Sequence, residues 1–218
     1  MTLLEQELKD LRQELLNMFL AVNNQLTKSE KSFLEFDKDI ASEIANSEKR
    51  INSLELKIDR DCENILALYS PVAVDLRFVL SVYKINHELE RIADIADGIA
   101  DYVNDLDSEF PKNAVEDVRI KEMFIQCKSM FENVIEAFEK EDTSIARRVF
   151  KQDELLNQIN ENGSKNIIKN YSEKNAKSLF FLLSCVRKIE RAGDLIKNIS
   201  EELIFSIESK VVKHKKKK

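Results

Sequence analysis

The chain has 218 residues, a formal charge of −6 and 43% hydrophobic side chains. That is enough apolar material for a core, and the charge has the wrong sign for nucleic acid as the main partner. Only 3 glycines and 2 prolines occur, too little turn material for a β-protein, so long helices are expected. No run of about 18 apolar residues predicts a membrane span, and Met1–Asp10 is too acidic for a signal peptide. Cys62, Cys127 and Cys185 form no CxxC pair and read as reduced core thiols of a cytoplasmic protein.

The first predicted helix covers residues 3–26, with Leu4, Leu8, Leu11, Leu15, Met18, Val22 and Leu26 alternating by three and four. A polar patch with Phe33 and Phe36 follows, and Asp37 or Asp39 can cap a second helix. The seam of that helix is Ile44, Ile51, Leu54, Ile58, Ile65 and Leu68, and Tyr69-Ser70-Pro71 stops it. A third helix starts near Asp75 and keeps the heptad Ile85, Leu89, Ile92, Ala96, Ile99, Val103. Asp105–Asn113, with Asp107, Ser108 and Pro111, reads as a linker.

The second half repeats the plan. One helix is predicted over Val115–Phe138, another over Ser144–Asn170 with a break at Tyr171-Ser172, and the last from about Lys174 to Val212. The expected fold is all-α: six long antiparallel helices in two tandem three-helix bundles, residues 1–107 and 112–212. Residues 213–218 are expected to form a solvated, disordered basic tail.

Glu90-Arg91-Ile92-Ala93-Asp94 returns as Glu190-Arg191-Ala192-Gly193-Asp194, 100 residues later, each copy just after an apolar run. At about 103° per residue, His87, Glu90, Asp94, Asp97 and Asp101 share one stripe opposite the apolar seam of the third helix. These acids are therefore expected on the outer flank, reachable by a metal or a partner. Glu48, Asn52, Glu55 and Asp59 form a second stripe on the second helix. A reversal near Pro71 brings Glu55 level with His87, and Glu48 and Asn52 level with Asp94 and Glu90.

Acidic stripes are commonly no more than solvated faces. Here Glu90/Asp94 and Asp97/Asp101 place like charges at i,i+4, at a cost of about 0.2–0.5 kcal/mol a pair, with no basic residue on their own stripe except His87. Glu48, Glu55, Glu90, Asp94 and Asp97 are thus candidate ligands for a hard or borderline cation such as Mg²⁺, Ca²⁺, Mn²⁺ or iron. In the second half the stripe mixes signs: Arg187, Glu190, Asp194, Lys197 and Glu201 face Asp153, Asn157 and Glu161, and can satisfy one another as ion pairs. Asp153, Glu190 and Asp194 are the candidate ligands there, secondary to the first set.

The doubled ERxxD phrase on the third helix of each repeat resembles the PhoU family. So does Pro71-Val72-Ala73-Val74-Asp75-Leu76-Arg77, which is similar to a PxaxDLR segment, and Asn52-Ser53-Leu54-Glu55 with Ile58-Asp59 on the second helix. The resemblance covers nearly the whole chain, departing at Ala93, where the motif usually has Gly, and at Asn157 and Lys197 in the second repeat. It implies a cytoplasmic six-helix protein that negatively regulates phosphate uptake and the phosphate-starvation response. The implied partners are the ATPase subunit of the phosphate transporter and a phosphate-sensing histidine kinase, so that membrane association is peripheral and only through them. It also implies metal clusters on ExxxD motifs in some members, and homodimers.

An enzyme is not expected. A di-iron oxidase needs inward-facing Glu-x-x-His pairs, whereas only His87 and His214 exist and Lys84 sits three before His87. Three glycines cannot build a phosphate-cradling loop. The alternative reading is a metal-free structural helical adaptor whose acidic faces dock basic partners in another pathway.

Overall fold

The computed structural model describes residues 2–170 and 176–212. The helices are α1 (Leu3–Glu35), α2 (Lys38–Tyr69), α3 (Ala73–Asn104), α4 (Lys112–Asp117), α5 (Ile120–Lys140), α6 (Thr143–Ala146), α7 (Val149–Asn170) and α8 (Ala176–Glu208). No strand occurs among the described residues. The expected breaker Tyr171-Ser172, the start at Lys174 and the 213–218 tail lie outside them.

α1 begins with a capping box: Glu5 N donates to Thr2 Oγ1 at 3.2 Å, and Thr2 N donates to Glu5 Oε2 at 2.7 Å. It runs nine residues past the expected end at 26, because Ser29, Ser32 and Phe33 prolong the buried stripe beneath the polar patch. Phe36 turns the chain in the left-handed region (φ 52°), and Asp37 caps α2 by accepting from Ile40 N at 2.9 Å. Ile44, Ile51, Ile58 and Ile65 are buried as the seam required, whereas Leu68, in the last turn of α2, is exposed. All six heptad residues of α3 are buried.

The two long helices expected first in the second half are each divided. Arg119 adopts φ 55° between α4 and α5. At Arg147–Arg148 tighter bonds to the third residue back, such as Arg148 N to the Ile145 carbonyl at 3.0 Å, separate α6 from α7. Ser200 Oγ donates to the Ala146 carbonyl at this break.

The buried faces match between the halves. Leu15, Met18, Phe19, Val22, Leu26 and Phe33 of α1 correspond, 105 residues on, to Ile120, Met123, Phe124, Cys127, Phe131 and Phe138 of α5, all buried. α3 and α8 match at a shift of 100. Like helices pack together across the halves. Phe19 lies against Phe131 and Phe138, with ring centroids at 5.9 and 5.4 Å. Along the antiparallel α3–α8 seam, Asn198 Nδ2 donates to Glu88 Oε1 at 3.3 Å and Lys84 Nζ pairs with Glu202 at 3.2 Å. Lys188 lies directly over Gly98, in space that a Cβ would fill. The pairs 88/198 and 98/188 exchange under the 100-residue shift, so the seam is a pseudo-two-fold contact within one chain. α2 packs on α1 and α3, and α7 on α5 and α8, leaving a polar groove between the second and third long helices of each half.

Candidate metal-binding grooves

In the first half the α2–α3 hairpin sets the two acidic stripes side by side. At the end nearer Pro71, His87 Nδ1 lies 3.1 Å from Glu55 Oε1 and its Nε2 3.7 Å from Asp59 Oδ2. These three residues can bring one ligand atom each within 4.8 Å of one another. Buried Asn86 steadies them, donating through Nδ2 to Asp59 Oδ1 at 2.9 Å and to the Glu55 carbonyl at 3.0 Å. The expected level of Glu55 with His87 is thus the observed one.

Farther along, Glu48, Glu90, Asp94 and Asp97 are carboxylates that feel one another's charge. They are set more loosely than Glu55, Asp59 and His87, whose ligand atoms alone among the described residues come within 4.8 Å of one another. Buried Gln25 of α1 donates through Nε2 to Glu48 Oε2 at 2.6 Å and to the Ala93 carbonyl at 3.2 Å. Glu48 Oε1 and Asp97 Oδ1 are buried and have no hydrogen-bond partner. Burial, then the charges of Asp94, Glu55 and Glu48, push the Glu90 carboxyl up to about 7, against a smaller pull from His87. Burial raises Glu48 as well, over the opposing bond from Gln25 and with the charges of Asp94 and Asp97. Asp97 is raised by burial and then by Asp101 and Asp94.

The expectation that the acids stand clear on an outer flank needs correcting. Asp94 and Asp101 are exposed, but Glu48, Glu55, Asp59, Glu90 and Asp97 are half-buried, because packed helices close the groove floor and Gln25 reaches into it from α1. The candidate set also lacked Asp59 and His87, which the structure joins to Glu55. Both stood on the stripes, and the ExxxD spacing from Glu55 to Asp59 was the available signal.

A carboxylate cluster with buried oxygens that lack donors and a carboxyl held half-protonated near neutrality fits an oxygen-binding cation. The second groove differs. Asp153 is 4% exposed, and Lys197 Nζ reaches its Oδ2 at 2.7 Å and Asp194 Oδ1 at 2.8 Å. Asn157 Nδ2 donates to Asp153 Oδ2 at 3.4 Å. Glu190 is raised by burial and by Asp194 and Asp153, with Lys197 and Arg191 pulling the other way. The carboxylates called for at Asp153, Glu190 and Asp194 are together, and a lysine ammonium is among them. A concavity of about 540 Å³ between Phe33, Phe36, Phe110, Val115 and Ile125 lies away from both grooves.

Taken together, the fold and grooves define a class: an all-α protein of two tandem three-helix repeats joined back to back, each carrying charged residues between its second and third long helices. The PhoU domain model matches residues 15–103 and 120–203, one segment in each half. The chain belongs to the PhoU family. It is 29% identical to the phosphate-specific transport system accessory protein PhoU of Serratia marcescens, over 95% of this chain and 86% of that protein. A Pseudomonas putida homologue of the same name is 30% identical over 95% of this chain and 82% of its own length. Among solved structures, PhoU from Pseudomonas aeruginosa superposes with a TM-score of 0.88 at 27% identity, covering 94% of this chain and 99% of that one. The phosphate transport system regulatory protein PhoU from Streptococcus pneumoniae gives 0.86 at 28% identity, covering 97% and 100%.

Proposed function

We propose that this protein is a non-catalytic regulator of phosphate transport, restraining phosphate uptake and the phosphate-starvation response through helix-face contacts. The observation that carries this reading is the match to PhoU proteins across both repeats, with relatives named for the phosphate-specific transport system. The partners proposed are the transporter's ATPase subunit and a phosphate-sensing histidine kinase, met in the cytoplasm by a homodimer. No helix among the described residues is long and apolar enough to cross a membrane, which accords with attachment to the membrane only through partners. Long helices with charged flanks suit docking on other proteins.

The first groove is proposed as a metal site. Glu90, Asp94, Asp97 and Glu48 would hold a cation such as Mn²⁺, Mg²⁺, Ca²⁺ or iron, with Glu55, Asp59 and His87 forming an adjacent position. The bound charge would neutralise the cluster and fix the α2 and α3 faces in one presentation to a partner.

Deleting the gene is expected to leave phosphate-starvation genes expressed in abundant phosphate. Normal repression in that strain, with no second copy of the family present, would replace this reading with that of an adaptor in another pathway. Metal analysis of Glu90→Gln/Asp94→Asn tests the groove: metal content equal to that of the unaltered protein sinks the assignment.

A further inference from the structure

The two grooves descend from the same plan, and residue correspondences expose one exchange of charge. Glu90 and Asp94 recur as Glu190 and Asp194, but Asp97 becomes Lys197. On the facing helices the shift of 105 that aligns the buried faces carries Glu48 to Asp153. It carries Glu55 and Asp59 to Asn160 and Ser164, while His87 becomes Arg187. Gln25, the buried donor that reaches Glu48, becomes Met130, which has no proton to give.

Lys197 supplies what these changes remove. Its ammonium bridges the helices, 2.7 Å from Asp153 on α7 and 2.8 Å from Asp194 on α8. Asp153 is almost wholly enclosed, and an enclosed carboxylate must be paired or neutralised. In the first groove the same place holds a carboxylate, Asp97; its Oδ1 is buried without a donor, as Asp153 Oδ1 is. But whereas Lys197 pairs with the other oxygen of Asp153, Asp97 forms no ion pair among the described residues. The first groove therefore has acids and no ammonium bridging them, since Lys188 of α8 only pulls on Asp97 from the seam beside it, whereas the second contains a bridging cation that is covalently attached.

We propose that Lys197 is the resident cation of the second groove, standing where a metal ion would sit, so that metal binding is confined to the first repeat. This deepens the metal reading of the first groove and rests on it for the word "confined", but the closure of the second groove is testable separately.

The test uses the full chain with the first groove disabled by Glu90→Gln/Asp94→Asn, titrated with Mn²⁺ and followed by metal content and thermal unfolding. That parent is expected to hold no Mn²⁺ that Glu190→Gln/Asp194→Asn removes, any residual metal belonging to the intact Glu55–Asp59–His87 position. Adding Lys197→Asp is expected to create a Mn²⁺ site, seen as retained metal and a Tm that climbs with Mn²⁺ concentration. Should Lys197→Asp not fold, Lys197→Met leaves Asp153 unpaired without adding an acid; its Tm is expected to fall in chelator and recover with Mn²⁺. The inference is overturned if the parent already holds Mn²⁺ that Glu190→Gln/Asp194→Asn removes. It is equally overturned if a folded Lys197 variant gains neither metal nor Mn²⁺-dependent stability. If the unaltered chain and the Glu90→Gln/Asp94→Asn parent bind equally little Mn²⁺ while Lys197→Asp gains it, the first-groove reading fails and the role of Lys197 stands.

Discussion

Gln25 of α1 donates to Glu48 of α2 at 2.6 Å, reaching from the buried face of one helix to the acidic groove beside another. The same amide group also holds the Ala93 carbonyl at 3.2 Å. Gln25→Met, the residue found at the matching place in α5, keeps the volume and removes both donors. A lost bond to a buried carboxylate is expected to cost about 1–3 kcal/mol. Thermal unfolding in chelator should show the lower Tm, and added Mn²⁺ should recover part of it if the groove takes a cation.

Chelated protein should lose stability as pH rises from about 4.5 towards neutrality. Glu90 sits at about 7 in the fold against an ordinary 4.5, so between those values the folded state holds the extra proton. Its contribution is complete below about 4.5 and lost as pH rises through 7. Glu48 and Asp97 are shifted the same way. Glu208 is shifted oppositely, to about 2 by its bonds to Thr143, Arg147 and Lys210, and acts only in more acid solution. Unfolding measured at about pH 5 and pH 7.5 should differ less in Glu90→Gln than in the unaltered chain.

Phe19→Ala should weaken the join between the halves. The ring is fully buried, and its neighbours Phe131 and Phe138 belong to α5. The expected loss is about 3–5 kcal/mol, read as a lower denaturant midpoint in equilibrium unfolding.

The three thiols should be silent in the native state. Cys62 and Cys127 are each pushed up to about 12 and Cys185 is raised further, all chiefly by burial, so almost no thiolate is present near neutral pH. A thiol-reactive chromophore should label them only on unfolding; rapid labelling of the folded chain would contradict the packing.

The third-helix heptad, the Asp37 cap and the level of Glu55 with His87 were legible because apolar periodicity and the stop at Pro71 fix them locally. The breaks at Arg119 and Arg147–Arg148 were not. The chain makes its turns without glycine, so Phe36, Ser70, Arg119 and Glu141 take left-handed backbone with no compositional mark. The extension of α1 hid behind serines whose small size suits a buried position. At the site, the acids announced themselves by spacing, but half-burial did not, since it depends on Gln25 arriving from another helix. The pairing of Lys197 with Asp194 was readable at i,i+3; its second bond, to Asp153, required knowing how α7 lies on α8.

Consider last the seam where α3 meets α8. Had the repeats been separate, identical subunits meeting across a true axis, any residue on one face would have its duplicate on the other. Fusion in one polypeptide lifts that obligation. Packing positions can stay matched, as Leu89 and Ile189 do, while Asp97 and Lys197 take opposite charge. One half is thereby free to remain chemically open as the other becomes self-contained, a division of labour that an assembly of identical parts could not inherit.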